Sequence, residues 1–121
     1  MYKRESGFDV INMADVPVEF EIEERSIVRI PPGQSGGNHK HPRVEAFVAV
    51  EGKGMKLVWL DEKNEKHTDL MMGEELKLFV IPSYLPHAVV NESDNEMGIL
   101  IEFSDGLQRD VEKVDVLQWQ S

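Results

Sequence analysis

The sequence predicts an all-β protein, a sandwich or barrel of short antiparallel strands. Three observations carry this. Apolar and polar residues alternate with period two in short runs, and Gly, Pro, Asn and Asp cluster between the runs at regular spacing. No stretch repeats apolar residues at the three-to-four spacing of an amphipathic helix. About seven to nine short strands are expected, in the pattern of β-sandwiches and barrels.

Residues 1–16 alternate weakly, with Val10, Ile11 and Val16 available to dock or pair at an edge. Val18, Phe20 and Ile22 alternate with Glu19, Glu21 and Glu23, which predicts a half-buried strand with an acidic face to water. Ser26 to Ile30 is a second β-branched run, stopped by Pro31-Pro32-Gly33, which cannot continue a ladder. Gln34 to Asn38, with Gly36-Gly37, reads as a flexible loop that delivers His39. Val44 to Val50 is a strong strand, and Gly52-Lys53-Gly54 predicts a hairpin to Met55–Leu60. After the charged turn 61–66, strands are expected over His67–Met72, Leu76–Ile81, His87–Val90 and Met97–Phe103. The tail from Leu107 to Ser121 carries Val111, Val114, Val116 and Leu117 without a clean period.

A chain of 121 residues with 40% hydrophobic and 30% charged residues is expected to form a single domain with its own core. Thirteen basic against twenty-three acidic residues give a formal charge of −10, which argues against nucleic acid or an anionic membrane surface as partner. The absence of cysteine removes disulfides, iron–sulfur clusters, thiolate zinc sites and cysteine nucleophiles. The N-terminal stretch holds no apolar run long enough for a signal peptide or a membrane span, so a cytoplasmic protein is the expectation.

The chemistry concentrates in GQSGGNHKHPRVEAFVAVEG, residues 33–52. In an extended backbone His39, His41 and Glu45 share parity and converge on one side. Two imidazoles and a carboxylate make an incomplete metal site, and His87 offers a fourth ligand. A carboxylate facing an apolar interior costs several kcal/mol unless it is paired or metal-bound. Phe47, on the parity of Glu45, and Met55 and Trp59 on the neighbouring strand are expected to line a pocket. Tyr84 is a candidate acid or hydrogen-bonding group at the mouth, and Arg29 a candidate for an anionic substrate.

The spacing Gly33-x5-His39-x-His41-x3-Glu45-x6-Gly52 resembles the first motif of the cupin superfamily at every position. Pro82-x-Tyr84-x2-His87-x3-Asn91 resembles the second, with Tyr84 where that motif usually has glycine. The resemblance covers roughly residues 25–103. It implies a small antiparallel jelly-roll barrel holding one divalent transition metal (Mn, Fe, Ni, Co, Cu or Zn) on His39, His41, Glu45 and His87. On a six-coordinate ion about two positions stay open for water or substrate oxygens.

A metal-dependent enzyme acting on a small oxygen-rich substrate is the first reading, of the sugar or sugar-phosphate isomerase or epimerase type. An iron or nickel dioxygenase and a non-enzymatic ligand-binding protein are the alternatives. Beyond the ligands, Tyr84 and Glu51 are the groups available to move a proton, and Arg29, Lys40, Arg43 and Lys56 the cations available to a phosphate. Small cupins commonly resemble homodimers, and Val18, Phe20 and Ile22 are candidates for the shared edge.

Overall fold

The computed structural model describes residues 2–3, 9–10, 12 and 16–120. All regular structure in them is β: β1 (Tyr2–Lys3), β2 (Asp9–Val10), β3 (Glu24–Ile30), β4 (Ser35–Lys40), β5 (Glu45–Glu51), β6 (Met55–Leu60), β7 (Lys66–Leu70), β8 (Leu78–Ile81), β9 (His87–Asn91), β10 (Gly98–Ser104) and β11 (Glu112–Lys113). Among the described residues no helix is long and apolar enough to cross a membrane. β1 pairs with β2; of the remaining expectations for the first sixteen residues, Ile11 lies outside the described residues.

Two antiparallel sheets face each other as a jelly-roll. One has the order β3-β10-β5-β8 and the other β11-β4-β9-β6-β7. The core between them is Ile30, Phe47, Ala49, Met55, Leu57, Met71, Ile81, Val89 and Leu100. These residues come from both sheets, and their period-two spacing within each strand is what puts them on the inner faces.

Three expectations change. The predicted hairpin across Gly52-Lys53-Gly54 is a crossing between sheets: β5 pairs with β10 and β8, whereas β6 pairs with β7 and β9. The paired hairpin is β6–β7, closed by Asp61, whose amide donates to the Glu65 carbonyl at 3.0 Å. Residues 34–38 are not a flexible loop, because Ser35 to Asn38 belong to β4. Residues 18–23 form no strand. Their alternation is real, with Glu19, Glu21 and Glu23 exposed, but Val16, Val18, Phe20 and Ile22 pack on Ala46, Val48 and Phe103. They cover the outer face of the chain's own sheet, so the apolar side offered as a dimer edge is already in use.

The tail does the same for the opposite sheet. Val116 is fully buried with Val58, Leu60 and Ala88, and Val114, Leu117 and Trp119 pack around them. The obscure period of 107–121 has this cause: a segment that crosses a sheet, pairing only through Glu112 and Lys113, need not alternate.

Gly52 shows why its position in the motif calls for glycine. Its φ is +104°, and a Cβ there would stand 2.8 Å from Gly98 Cα, a backbone atom that cannot swing aside. Gly52→Ala is expected to cost about 2–4 kcal/mol, from backbone strain plus overpacking. Urea unfolding measures it, and a loss below about 0.5 kcal/mol would show that the crossing adapts.

Candidate metal centre

The site forms where the two sheets meet. β4 and β9 are neighbours, and their register sets His39 opposite His87. His41 follows β4 directly, and Glu45 opens β5 in the facing sheet. Three imidazoles from one layer therefore look at a carboxylate from the other.

An extra residue in β4 makes this possible. Gly36 pairs with Val89 and Gly37 with Ala88, but the next pair is His39 with His87, so Asn38 is bulged out. A one-residue bulge shifts the parity of every later residue in its strand. Gly36 already faces inward, so without the bulge His39 and His41 would point out. Asn38 has a φ of 65°, in the left-handed region that asparagine tolerates. Its Oδ1 accepts from the amides of Val116 at 2.7 Å and Leu117 at 3.1 Å, and its Nδ2 donates to Asp115 Oδ1 at 3.0 Å. The tail thus holds the bulge that aims the histidines.

The ring centroids of His39, His41 and His87 lie 4.9 to 5.0 Å apart. One nitrogen from each falls within 4.8 Å of the other two. His41, His87 and Glu45 are buried, and His39 is half-buried. His41 Nδ1 lies 3.1 Å from the Arg43 carbonyl and His87 Nδ1 lies 2.8 Å from the Leu85 carbonyl. A carbonyl can only accept, so each Nδ1 carries a proton, and the Nε2 of each ring turns inward.

Both Nε2 atoms face Glu45 Oε1, at 2.9 Å from His41 and 3.3 Å from His87. The closer contact lacks hydrogen-bond alignment, and His41 Nε2 and Glu45 Oε1 have no hydrogen-bond partner among the described residues. Buried polar atoms left without a partner are costly. A cation between them removes the cost, and three imidazoles with one carboxylate are a donor set suited to a divalent transition metal. The residues present fit such an ion.

Arg43 and Glu102 complete the site. The sequence offers Arg43 only as a cation for a phosphate and gives Glu102 no role. Arg43 is 9% exposed. Its Nε and Nη2 reach Glu45 Oε2 at 2.9 and 2.6 Å, and Nη2 also reaches Glu102 Oε1 at 2.5 Å. Its Nη1 serves Glu24 Oε1, Ser104 Oγ and the Gly106 carbonyl at 3.2, 3.4 and 3.3 Å. One carboxyl oxygen of Glu45 is thereby clamped while the other faces the imidazoles. A signal for Glu102 does exist. It is the single acid inside GILIEFS, two residues from the buried Leu100 and so on the inner parity.

Burial pushes Glu45 up, yet the imidazoles of His41 and His87 outweigh it and hold the carboxyl well below the usual carboxylate range. Burial, then repulsion from Glu45, pushes Glu102 up to about 7. Burial, then the neighbouring His87 and His41, lowers His39 from 6.5 to about 4. Between those two values the folded chain binds fewer protons at His39 than the unfolded chain does. The penalty is absent above pH 6.5 and grows as pH falls toward 4. In chelator-treated protein, stability relative to His39→Gln is expected to decline across that window. Urea unfolding at several pH values tests this, and a difference that stays constant would exclude it.

These groups border a cavity of about 90 Å³, walled by Phe47, Val89, Leu100, Val28 and Ile30 and by Gln108. The Phe47 ring is 6.0 Å from that of His87. The other residues expected at the site lie elsewhere. Met55 is fully buried in the core. Trp59 borders a separate groove with Asp69, Phe79 and Leu85, and it stacks on His67 at 4.3 Å. Arg29 and Glu51 are exposed, Arg29 on the parity opposite Val28 and Ile30. Tyr84 is 52% exposed and outside the cavity wall, and its amide donates to the His41 carbonyl at 2.8 Å. Its φ of 63° is the conformation glycine takes most readily, which accounts for the glycine in the motif it departs from.

A protein-family model described as a cupin domain matches residues 26–102. No curated protein matches the chain in sequence. Among solved structures, the capsular polysaccharide assembling protein CapF from Staphylococcus aureus is similar at 25% identity and a TM-score of 0.67, over 77% of this chain and 27% of that one. The oxalate decarboxylase OxdC of Bacillus subtilis is similar at 26% identity and 0.59, over 74% and 23%. An oxalate oxidase shares the fold at 22% identity and 0.60, over 74% and 45%. The chain thus spans less than half the length of each of these proteins.

Proposed function

Since the chain belongs to the cupin family, we propose that it is a metal-dependent enzyme of the isomerase or epimerase type, acting on a small hydroxycarbonyl compound. The supporting observation is the convergence of His41 Nε2, His87 Nε2 and Glu45 Oε1 beside the cavity, where His41 Nε2 and Glu45 Oε1 have no hydrogen-bond partner among the described residues. His39, His41, Glu45 and His87 would hold the ion. A divalent ion there supplies Lewis acidity toward adjacent hydroxyl and carbonyl oxygens.

The chain's own groups do the rest. The backbone carbonyls of Arg43 and Leu85 hold the imidazoles in one tautomer. Arg43 fixes Glu45 and Glu102 side by side. Glu102, on the cavity wall, is placed to take a proton from the carbon beside the carbonyl and return it to the neighbouring carbon. Phe47, Val89 and Leu100 give the cavity an apolar wall beside that group. Similarity to CapF, a protein of capsular polysaccharide assembly, supports a sugar-like substrate class.

The test loads the purified protein with manganese, iron, nickel or zinc in turn. Metal content is measured by element-resolved mass spectrometry, and each form is offered a panel of hydroxyaldehydes, hydroxyketones and free sugars. Interconversion without oxygen uptake is expected. Oxygen consumption would replace this reading with a dioxygenase, and metal binding without turnover across the panel would leave a binding protein.

A further inference from the structure

The strand that carries His39 takes its shape from a segment that carries no ligand. Two successive residues of β4 have left-handed backbone angles, Gly37 with a φ of 80° and Asn38 with a φ of 65°. A Cβ at Gly37 would stand 3.2 Å from the His87 carbonyl oxygen, so glycine fits there. Asn38 does have a Cβ, and the left-handed region needs compensation. Every side-chain hydrogen bond of Asn38 among the described residues ends on residues 115–117. Its carbonyl accepts from the Val114 amide at 3.2 Å. Glu112 and Lys113 pair with Lys40 and His39, and Lys40 Nζ lies 3.3 Å from Glu112 Oε2. On the far side Val116 is fully buried, and the Leu117 carbonyl accepts from Lys66 Nζ at 2.8 Å. Trp119 Nε1 donates to the Asn64 carbonyl at 2.9 Å. Residues 112–119 are therefore a strap tied to β4 at one end and to the β6–β7 hairpin at the other.

Freed of the strap, β4 has a competing arrangement. Regular pairing would run on from Gly37–Ala88 to Asn38–His87, and Asn38 would relax into extended backbone. That slip of one residue turns His39 and His41 to the opposite face. Resting on the metal site of the function proposed above, we propose that Asn38 is the positioning residue through which the strap sets metal affinity, and that the bound ion in turn tightens the strap. Docking of the strap and binding of the ion favour the same register of β4. Each therefore strengthens the other by the same factor. The apparent affinity for the ion scales with the fraction of chains in that register.

The experiment uses the full chain and reads the cobalt dissociation constant from the visible spectrum, in competition with a chelator of known affinity. It compares the protein with Asn38→Gly, Asp115→Ala and Val48→Ala, under conditions where urea unfolding shows each to be folded. Glycine keeps the left-handed backbone accessible, so Asn38→Gly removes the grip on the strap without adding strain. Asp115→Ala removes one bond of that grip from the other side. Val48→Ala is the control, because Val48 packs on the outer face of the opposite sheet and is remote from the strap. Asn38→Gly is expected to weaken cobalt binding about tenfold or more, and Asp115→Ala about threefold or more, with the saturated spectrum unchanged. Val48→Ala is expected to lose stability and keep its affinity. In the unmodified protein, zinc is expected to slow amide hydrogen exchange over residues 114–118 about threefold or more. Unchanged affinity in either strap variant, an equal loss in Val48→Ala, an altered saturated spectrum, or strap exchange indifferent to zinc overturns the inference and leaves the metal site standing. Failure of the unmodified protein to hold cobalt overturns the site itself, and the inference with it.

Discussion

Arg43→Met is expected to remove about 3–5 kcal/mol of folding stability in the metal-free protein, the cost of stripping buried carboxylates of the arginine that pairs them. Arg43 lies between the carboxylates of Glu45, Glu102 and Glu24, and only Glu24 has substantial access to water. Methionine matches much of the arginine stem in volume, so the loss reports charge and hydrogen bonds rather than a cavity. Arg43→Lys keeps the charge but not the planar fork that meets two carboxylates at once, and an intermediate loss is expected. Urea unfolding in chelator gives the numbers. A loss under about 1 kcal/mol for Arg43→Met would mean that Glu102 takes up a proton and the network relaxes without its cation. Added metal should restore part of the stability, since it compensates Glu45 but not Glu102.

The second large effect concerns the ion. Metal at about a thousand times its dissociation constant adds about 4 kcal/mol to the stability of a protein that binds it only when folded. His41→Ala and His87→Ala are each expected to abolish that increment and to drop metal content from about one ion per chain to a small fraction. Each should leave the metal-free protein folded, because the core of Ile30, Phe47, Met55, Leu57 and Leu100 does not depend on either ring. Thermal unfolding with and without metal, alongside elemental analysis, makes the measurement. A variant that keeps full occupancy would mean the ligands are misassigned.

How much of this could be read from the chain alone depends on whether a signal is local. His39 and His41 sit two apart, Glu45 opens an apolar run and His87 follows a proline into another strand. The four groups that converge were therefore visible as spacing, although Glu45 reaches them from the facing sheet and not from one shared strand. The strands β5, β6, β9 and β10 carry apolar runs, broken only by Lys56 and Glu102, and stood out for the same reason. The bulge did not. Gly36-Gly37-Asn38 has the composition of a loop, and only pairing with β9 and the grip of Asp115, Val116 and Leu117 on Asn38 make it a strand. Arg43 sits in a turn, where an arginine looks like surface, and its partner Glu102 lies some sixty residues away. The crossing at Gly52 likewise reads as a hairpin until the two sheets are known to take β5 and β6 apart. Long-range pairing decides each of these cases, and period-two patterning carries no information about partners.

The same topology sets a timetable during synthesis. His39, His41 and Glu45 leave the ribosome about forty residues ahead of His87, and the segment that grips Asn38 comes later still. At about 5–20 residues per second, the first three groups of the candidate site wait several seconds without the fourth. In that interval β4 lacks both of its sheet neighbours, β9 and β11, so the bulge has nothing to hold it and the parity of His39 is undecided. A nascent chain can therefore present only a flexible partial ligand set to whatever metals surround it. Convergence of the four groups, and with it any choice of ion, falls to the finished fold.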